Sequence, residues 1–325
     1  MSKKTLYLHV GPHKTGTTVI QKACLDNKDV LEKYNISYPS VFFEPIAHHK
    51  LVNMVRRREV SDEDLAKLAE GDSDILLSSE NFIHFTAPDW KYIRERFSIF
   101  EVKIIYAWRR SSLKMYSMWQ ESVKHGGTEP FHHFFYKDLI RPGQSRSLMQ
   151  ALNIDMYASV FGKESVSILD FDALSEDHSL VNEFFELIGI NGSEIDISQQ
   201  DKGFKNESLD PETTEILRCL NALSLRAGHS KSSKTRELFS SYQTSINTEV
   251  EQIKTLMNNH LESVDVGGYF VDRATEKAMK DKYLSNVISY QNKERTKEIK
   301  LVNQDWLLEP SASELLSMIH KKVMQ

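Results

Sequence analysis

The segment GPHKTGTT, residues 11–18, constrains the fold more than any other part of the chain. It follows KTLYLHV at 4–10, whose β-branched and aromatic residues predict a short buried strand. Apolar residues at helical spacing begin directly after it and continue to about residue 34. A glycine-rich turn between a strand and a helix aims backbone N–H groups and the positive end of the helix dipole at one point. The segment therefore predicts a phosphate-binding loop.

The side chains of this loop refine that prediction. Lys14 adds a mobile positive charge, and the hydroxyls of Thr17 and Thr18 add hydrogen-bond donors. In the phosphate loop of nucleoside triphosphatases, G-x-x-x-x-G-K-[ST], the lysine follows the second glycine. Here Thr17 follows Gly16, and the lysine stands two residues before that glycine. The spacing of a phosphate loop is kept, but the displaced lysine argues against an ordinary ATPase or kinase.

Strand and helix patterns alternate along the first two thirds of the chain, which predicts an α/β fold with a mostly parallel central sheet flanked by helices. Strands are expected at 4–10, 74–80, 101–107 and 165–170, and helices at 17–34, 61–70, 112–125, 145–161 and 178–189. Beyond residue 208 only helices are expected, at 210–228, 243–264, 270–283 and 311–323. We expect a nucleotide-binding core at 1–207 and a helical C-terminal cap at 208–325, packed on the same domain.

Composition excludes several classes of protein. Lys plus Arg is 41 and Asp plus Glu is 46, a net charge of −5, so the basic excess typical of nucleic-acid binders is missing. No apolar run approaches the ~20 residues needed to cross a bilayer, and the apolar stretch near the start is too short for a signal peptide. We expect a cytoplasmic protein. Two cysteines, Cys24 and Cys219, cannot build a disulfide framework or a zinc site.

The segment LHVGPHKTGTT resembles the 5′-phosphosulfate loop of sulfotransferases that use 3′-phosphoadenosine 5′-phosphosulfate (PAPS). It is most similar to the bacterial and carbohydrate-modifying branch of that family. The resemblance implies a P-loop-type three-layer fold, PAPS as donor, adenosine 3′,5′-bisphosphate as product, and no required metal. It also implies that Lys14 contacts the phosphosulfate and that the loop cradles the 5′-phosphate, with the donor-binding residues Gly11, His13, Lys14, Thr15, Gly16, Thr17 and Thr18.

A second element, at the end of the third expected strand, is similar to the 3′-phosphate site of the same family. Arg109 ends that strand, and Ser117 follows eight residues later in the next helix. An arginine fork and a hydroxyl brought together in this way can share one phosphate dianion. Ser111 replaces the family's usual proline, which leaves open whether Arg109 or Arg110 makes the contact. By a looser resemblance, Lys202 and Asn206 belong to a late loop that closes over the nucleotide.

An acceptor hydroxyl or amine must lose a proton, so a base is expected near the loop. Glu80 ends the second expected strand, and ligands of open α/β sheets bind at the carboxyl ends of strands. Ser78-Ser79-Glu80 also resembles the S-x-E of carbohydrate sulfotransferases, where the glutamate is the base. His84 is the second candidate, although the apolar residues around it indicate a packed position. The histidine pairs His48-His49 and His132-His133 have no metal-ligand spacing and are expected to be solvated or packed.

These observations predict a sulfotransferase that moves a sulfuryl group from PAPS to a hydroxyl or amine. In this reading Lys14 stabilises the leaving phosphate and Glu80 is the base. The expected acceptor is a small molecule or a glycan or glycolipid, with no nucleic-acid partner and no membrane span. Two alternatives stay open, namely a P-loop kinase that uses ATP and a non-catalytic nucleotide-binding scaffold. The oligomeric state is not indicated.

Overall fold

The computed structural model of the chain describes residues 3–197, 209–229, 234–264, 272–288 and 299–324. The chain divides into two compact units. The first contains Met1–Ser111, Met149–Lys205 and Arg273–Lys293, and the second contains Ser112–Leu148, Asn206–Asp272 and Glu294–Gln325. Residues 112–148 belong to the second unit and 273–293 to the first. The expected division into a nucleotide-binding core at 1–207 and a helical cap at 208–325 stays a prediction.

The strands and helices are numbered here in chain order. The strands are β1 Thr5–His9, β2 Ile36–Ser37, β3 Asp74–Ser78, β4 Glu101–Trp108, β5 Val166–Asp170, β6 Leu261–Val264, β7 Val287–Ile288 and β8 Ile299–Val302. The helices are α1 Thr17–Asp26, α2 Lys28–Lys33, α3 Lys50–Arg57, α4 Asp62–Ala69, α5 Ala87–Arg96, α6 Ser111–Lys124, α7 Phe131–Phe134, α8 Tyr136–Leu139, α9 Ala151–Phe161, α10 Phe171–Glu176, α11 Leu180–Leu187, α12 Pro211–Arg226, α13 Lys234–Ser241, α14 Gln243–Asn258, α15 Asp272–Tyr283 and α16 Ala312–Met324.

The first unit is built on a six-stranded sheet with the order β2-β3-β1-β4-β5-β7. Every neighbouring pair in it is parallel. The predicted α/β fold with a mostly parallel central sheet is confirmed. In β1, Leu6 and Leu8 belong to the core on one face, while Leu76 of β3 and Ile105 of β4 belong to the core on the other. Because helices cover both faces, the strands are apolar on both sides, which is typical of parallel sheets.

The second unit contains the helices of 112–148 together with α12, α13, α14 and α16 and a small antiparallel pair of strands, whereas all but the first residue of α15 belongs to the first unit. The strands β6 and β8 pair from Leu261 with Val302 to Val264 with Ile299. Its main core lies between α12, α14 and α16, around the fully buried Ile253 and Ile319. A second cluster holds the aromatic residues of α6 and α7 against α12 and β8.

The expectation that no strand follows residue 208 is wrong. β6, β7 and β8 have only two to four residues each, so they are too short for a period-two pattern to stand out from a helical one. The helix expected at 243–264 accordingly ends at Asn258, and its last residues form β6. The helix expected at 17–34 is divided into α1 and α2 at Asn27. Among the described residues, no helix is long and apolar enough to cross a membrane.

Candidate functional site

The loop at 10–16 connects β1 to α1 through an unusual backbone path. Gly11, Lys14 and Gly16 all have positive φ, at 81°, 66° and 72°. Glycine adopts this region freely, but for lysine it costs of order 1–2 kcal/mol. The neighbouring structure holds Lys14 in it, because the Thr15 hydroxyl donates to the Pro12 carbonyl at 2.6 Å and Arg109 Nη1 donates to the Lys14 carbonyl at 2.6 Å. Such strain is concentrated at functional sites.

Two close approaches explain why the loop needs its glycines. A Cβ on Gly11 would lie 2.9 Å from the Cα of Glu80, which follows β3. A Cβ on Gly16 would lie 2.4 Å from Leu180 Cδ2 and 3.2 Å from the ring of Phe171. The loop backbone therefore lies directly against the carboxyl end of the neighbouring strand, which joins the predicted phosphate loop and the predicted base in one site.

The first turn of α1 forms the far side of this loop. Gly16 occupies the N-cap position and provides no side-chain cap, and the first turn has no acidic residue. The first N–H groups of a helix have no partner within the helix, and its N-terminus carries a partial positive charge. Thr17 is buried and Thr18 is half-buried beside these groups, while His13 and Lys14 are half-buried in the loop before them. This arrangement of backbone donors, hydroxyls and a lysine suits a phosphate or sulfate group.

Glu80 begins a short 3₁₀ turn, Glu80–His84, immediately after β3. Its Oε2 accepts a hydrogen bond of 2.8 Å from Nε2 of Gln21 in α1. Burial alone would raise the pKa of Glu80, but the bonds from Gln21 and from the backbone and the nearby His49 and His13 outweigh it and lower the pKa. The Glu80 carboxyl is therefore held ionised and oriented, as a proton acceptor must be.

His84 does not have the packed position expected of it. The 3₁₀ turn repeats every three residues, so Phe82 and Phe85 point together into the core and His84 is left exposed. Its ring lies beside that of His13 in the loop, with ring centres 5.6 Å apart. The two candidate base residues, Glu80 and His84, thus border the same loop.

The pair His48-His49 contributes more to this region than the sequence indicates. His48 is fully buried, with Nε2 donating to the Pro39 carbonyl and Nδ1 accepting from the Ser78 backbone N–H, and burial lowers its pKa to about 4. His49 is half-buried, with Nδ1 2.7 Å from the Ser79 hydroxyl next to Glu80. His132 and His133 lie in the second unit.

Arg109, at the end of β4, lies against the loop from the other side. Besides its bond to the Lys14 carbonyl, its Nε is 3.5 Å from Asp172 Oδ1 and its guanidinium stacks 4.9 Å above the Phe171 ring. Burial lowers the pKa of Arg109 and the charge of Asp172 partly opposes this. Arg110 donates its backbone N–H to Asp172. The Arg109 guanidinium is thus bonded directly to the loop.

The remaining expected donor contacts stay predictions. Ser117 lies on α6 in the second unit, so the sharing of a phosphate between Arg109 and Ser117 is not tested. Lys202 and Asn206 lie outside the described residues. Within the described residues, no group of three or more His, Cys, Asp or Glu side chains could hold a metal ion.

Behind the loop lies a series of buried, hydrogen-bonded polar side chains that was not predicted from the sequence. Gln21 is 1% exposed and also donates to the Ser78 hydroxyl at 3.3 Å. That hydroxyl lies 2.8 Å from Nδ1 of the fully buried His9, whose pKa burial lowers to about 4. One signal was present in the sequence: Gln21 is a polar residue among the buried positions of α1, four residues after Thr17 and therefore on the same face.

The chain has few matches among known proteins. Neither the models of protein families nor the curated proteins give a match to it. Among solved structures, the chain is similar to a sulfotransferase from Alicyclobacillus acidocaldarius, with a TM-score of 0.41 and 15% sequence identity. The similarity covers 71% of this chain and 98% of that chain. A likeness at this level carries no argument about this chain.

Proposed function

We propose that the chain is a sulfotransferase that uses PAPS as donor and an acceptor hydroxyl or amine. The observation that carries the proposal is the contact of the loop with Glu80. A phosphate-type loop with a lysine, a helix N-terminus and an oriented, ionised carboxylate meet at the carboxyl ends of β1 and β3, with the Gly11 backbone against Glu80. Sulfuryl transfer requires both an anion-binding group and a base at the same point.

The residues present fit the donor. The N-terminus of α1 has no acidic residue in its first turn, and Arg109 places a half-buried guanidinium against the loop, with Nη1 on the Lys14 carbonyl and Nε paired with Asp172. We infer that Lys14, Gly16, Thr17 and Thr18 hold the 5′-phosphosulfate and that Arg109 holds an anionic part of the nucleotide. When bound, PAPS supplies an activated sulfuryl group and a bisphosphate leaving group.

The chain's own groups then have distinct tasks. The Lys14 ammonium stabilises negative charge that grows on the leaving phosphate, an interaction that is stronger in the transition state than in the ground state. The Glu80 carboxylate accepts the proton of the acceptor, and Gln21 holds that carboxylate in position. His84 and His13 border the same space, so His84 is the second candidate for the base. We propose a hydroxylated acceptor such as a glycan or glycolipid.

Thermal unfolding with nucleotides tests the donor site without knowledge of the acceptor. A ligand at one hundred times its dissociation constant stabilises the folded state by about 2.7 kcal/mol. For a chain of this size we expect adenosine 3′,5′-bisphosphate alone to raise the unfolding midpoint by roughly 2 °C or more. A shift with ATP and magnesium but not with the bisphosphate would instead indicate a kinase. No shift with either ligand would contradict a nucleotide site at the loop.

Transfer itself is measured with ³⁵S-labelled PAPS and a panel of glycan, phenol and amine acceptors. We expect Glu80→Gln to bind the bisphosphate as the unaltered chain does and to lose transfer. Glu70→Gln, an exposed glutamate after α4, is the matched control and should keep transfer. If Glu80→Gln transfers sulfate at the normal rate, the base is another group, and His84→Asn is the next variant.

A further inference from the structure

The second unit contains a pocket of about 260 Å³ that the proposed sulfuryl transfer does not use. One wall consists of Tyr116 and Trp119 of α6 and Phe131 of α7, whose ring centres are 5.5–5.7 Å apart. The opposite wall is the pair β6 and β8 with the loop that follows β8. All of the residues around the pocket belong to the second unit. A volume below the range of drug-sized ligands suits a single substituted ring.

A buried ion pair lies at this pocket. Glu215 is 2% exposed and accepts two hydrogen bonds from Arg218, at 2.6 and 2.7 Å, and one each from Gln304, Trp306 and the Cys219 thiol. Four of these five bonds go to Oε1, so Oε2, which accepts only the Arg218 Nε bond among the described residues, can accept another. A buried ion pair adds little stability compared with apolar residues of the same size. The presence of a rigidly held hydrogen-bond acceptor at the wall of a pocket is better explained by a role in binding a ligand.

The charges around the pocket cancel. Arg218 neutralises Glu215, and the exposed rim carries the acidic Glu262, the basic Lys300 and the imidazole of His132. Such a pocket favours neither an anion nor a cation. The rim does offer a hydrogen-bond acceptor and a donor together, and a hydroxyl group can bond to both because it donates and accepts.

We propose that this pocket binds a neutral saccharide ring. The C–H face of a pyranose packs on the electron-rich face of an aromatic ring, here that of the half-buried Tyr116, while the buried rings of Trp119 and Phe131 support it from behind. Its hydroxyls bond to Glu215 Oε2 and to the Glu262 and Lys300 side chains of the rim. A flat aromatic ligand would use the aromatic wall alone and leave these polar groups to water. Saccharide binding in this pocket does not depend on the proposed sulfuryl transfer.

Indole N–H resonances of the ¹⁵N-labelled full chain give a readout specific to the pocket. The chain has four tryptophans. Trp119 lines the pocket and Trp306 bonds to Glu215, whereas Trp90 and Trp108 lie in the first unit. The probes are the methyl glycosides of glucose, galactose, mannose and N-acetylglucosamine, with p-cresol as the aromatic comparison. We expect at least one glycoside to shift Trp119 and Trp306 and to leave Trp90 unchanged.

Two variants and their controls test the two kinds of contact. Tyr116→Leu removes one aromatic face and should weaken glycoside binding about two- to tenfold, and Glu262→Gln should weaken it by a similar factor. Tyr136→Leu and Glu251→Gln change exposed residues of the same unit away from the pocket and should leave binding unchanged. Indole spectra of each variant show whether it is folded.

Three results would overturn the proposal. They are the absence of a Trp119 shift with every glycoside, a shift with p-cresol only, and a glycoside shift that both pocket variants leave at full affinity. Titration with adenosine 3′,5′-bisphosphate on the same samples separates this proposal from the proposed function. Glycoside binding without bisphosphate binding would support the pocket and contradict the sulfotransferase, and bisphosphate binding without glycoside binding would do the reverse.

Discussion

Replacing Gln21 by methionine should raise the pKa of Glu80 measurably. The substitution keeps the length of the buried side chain and removes the donor that bonds to Glu80 Oε2 at 2.8 Å. A hydrogen bond to a charged group is worth about 1.5–3 kcal/mol, and one pKa unit corresponds to about 1.4 kcal/mol. Loss of this bond removes a cause that lowers the pKa, so we expect a rise of about one to two units in Gln21→Met. Glu80 would remain ionised at neutral pH but would no longer be held in one orientation.

The assay is a pH titration of the chain labelled with ¹³C at the glutamate carboxyls, in which the Glu80 resonance is identified by its absence in Glu80→Gln. Gln150→Met is the matched control. Gln150 is also a fully buried glutamine of the first unit, but its amide donates to the Arg109 carbonyl and accepts from Tyr106. Both variants should lose about 1–3 kcal/mol of stability, and only Gln21→Met should move the Glu80 titration. An unchanged pKa of Glu80 in folded Gln21→Met, or an equal rise in Gln150→Met, would refute the reasoning.

Three further perturbations test the loop and its surroundings. Lys14→Ala should weaken the binding of adenosine 3′,5′-bisphosphate roughly ten- to a hundredfold, as measured by calorimetry. Lys22→Ala, which removes the ion pair between Lys22 and Asp26 on α1, should leave this affinity unchanged. Equal affinities of the two variants would contradict the proposed role of Lys14. Gly11 has positive φ and a Cβ there would clash with Glu80, whereas Gly71 has positive φ of 64° and open space around it. Gly11→Ala should therefore lower the free energy of unfolding in urea more than Gly71→Ala does. Equal losses would show that the loop backbone does not lie against Glu80. Burial lowers the pKa of the His9 imidazole to about 4, so below about pH 6.5 the unfolded chain binds a proton at His9 that the folded chain does not bind. The free energy of unfolding should therefore fall by about 2 kcal/mol between pH 6.5 and pH 5. This part of the pH dependence should be absent in His9→Asn.

The parts of the site that local sequence encodes could be predicted. The positions of Gly11, Gly16 and Thr17 follow from a strand, a turn and a helix that are adjacent in the chain. β1 begins and ends within one residue of the expected strand, and α1 begins at the expected Thr17. Glu80 could be placed at a strand end for the same reason. Its contact with the loop follows from the parallel pairing of β1 with β3. The alternation of strands and helices predicts parallel strands, but not which of them are neighbours.

The parts that depend on tertiary packing could not be predicted. Gln21 reads as one polar residue on a helix, and only the position of β3 makes it a partner of Glu80. His49 comes from the segment between β2 and α3, whose return to Ser79 has no periodic signature. The two-residue strand β7 takes its conformation from β5 at the sheet edge, because two residues carry no pattern of their own. In each case, contacts between distant parts of the chain decide the structure.

The helix α1 ties two events together. Its first turn begins at the loop and has no acidic residue, and Gln21, one turn further along, donates to Glu80. A displacement of the N-terminus of this ten-residue helix would therefore also displace the Gln21 amide. Under the proposed function, an anion that draws the first turn toward itself would change the orientation of the Glu80 carboxylate. The proposal then predicts an ordered sequence in which the donor binds before the acceptor.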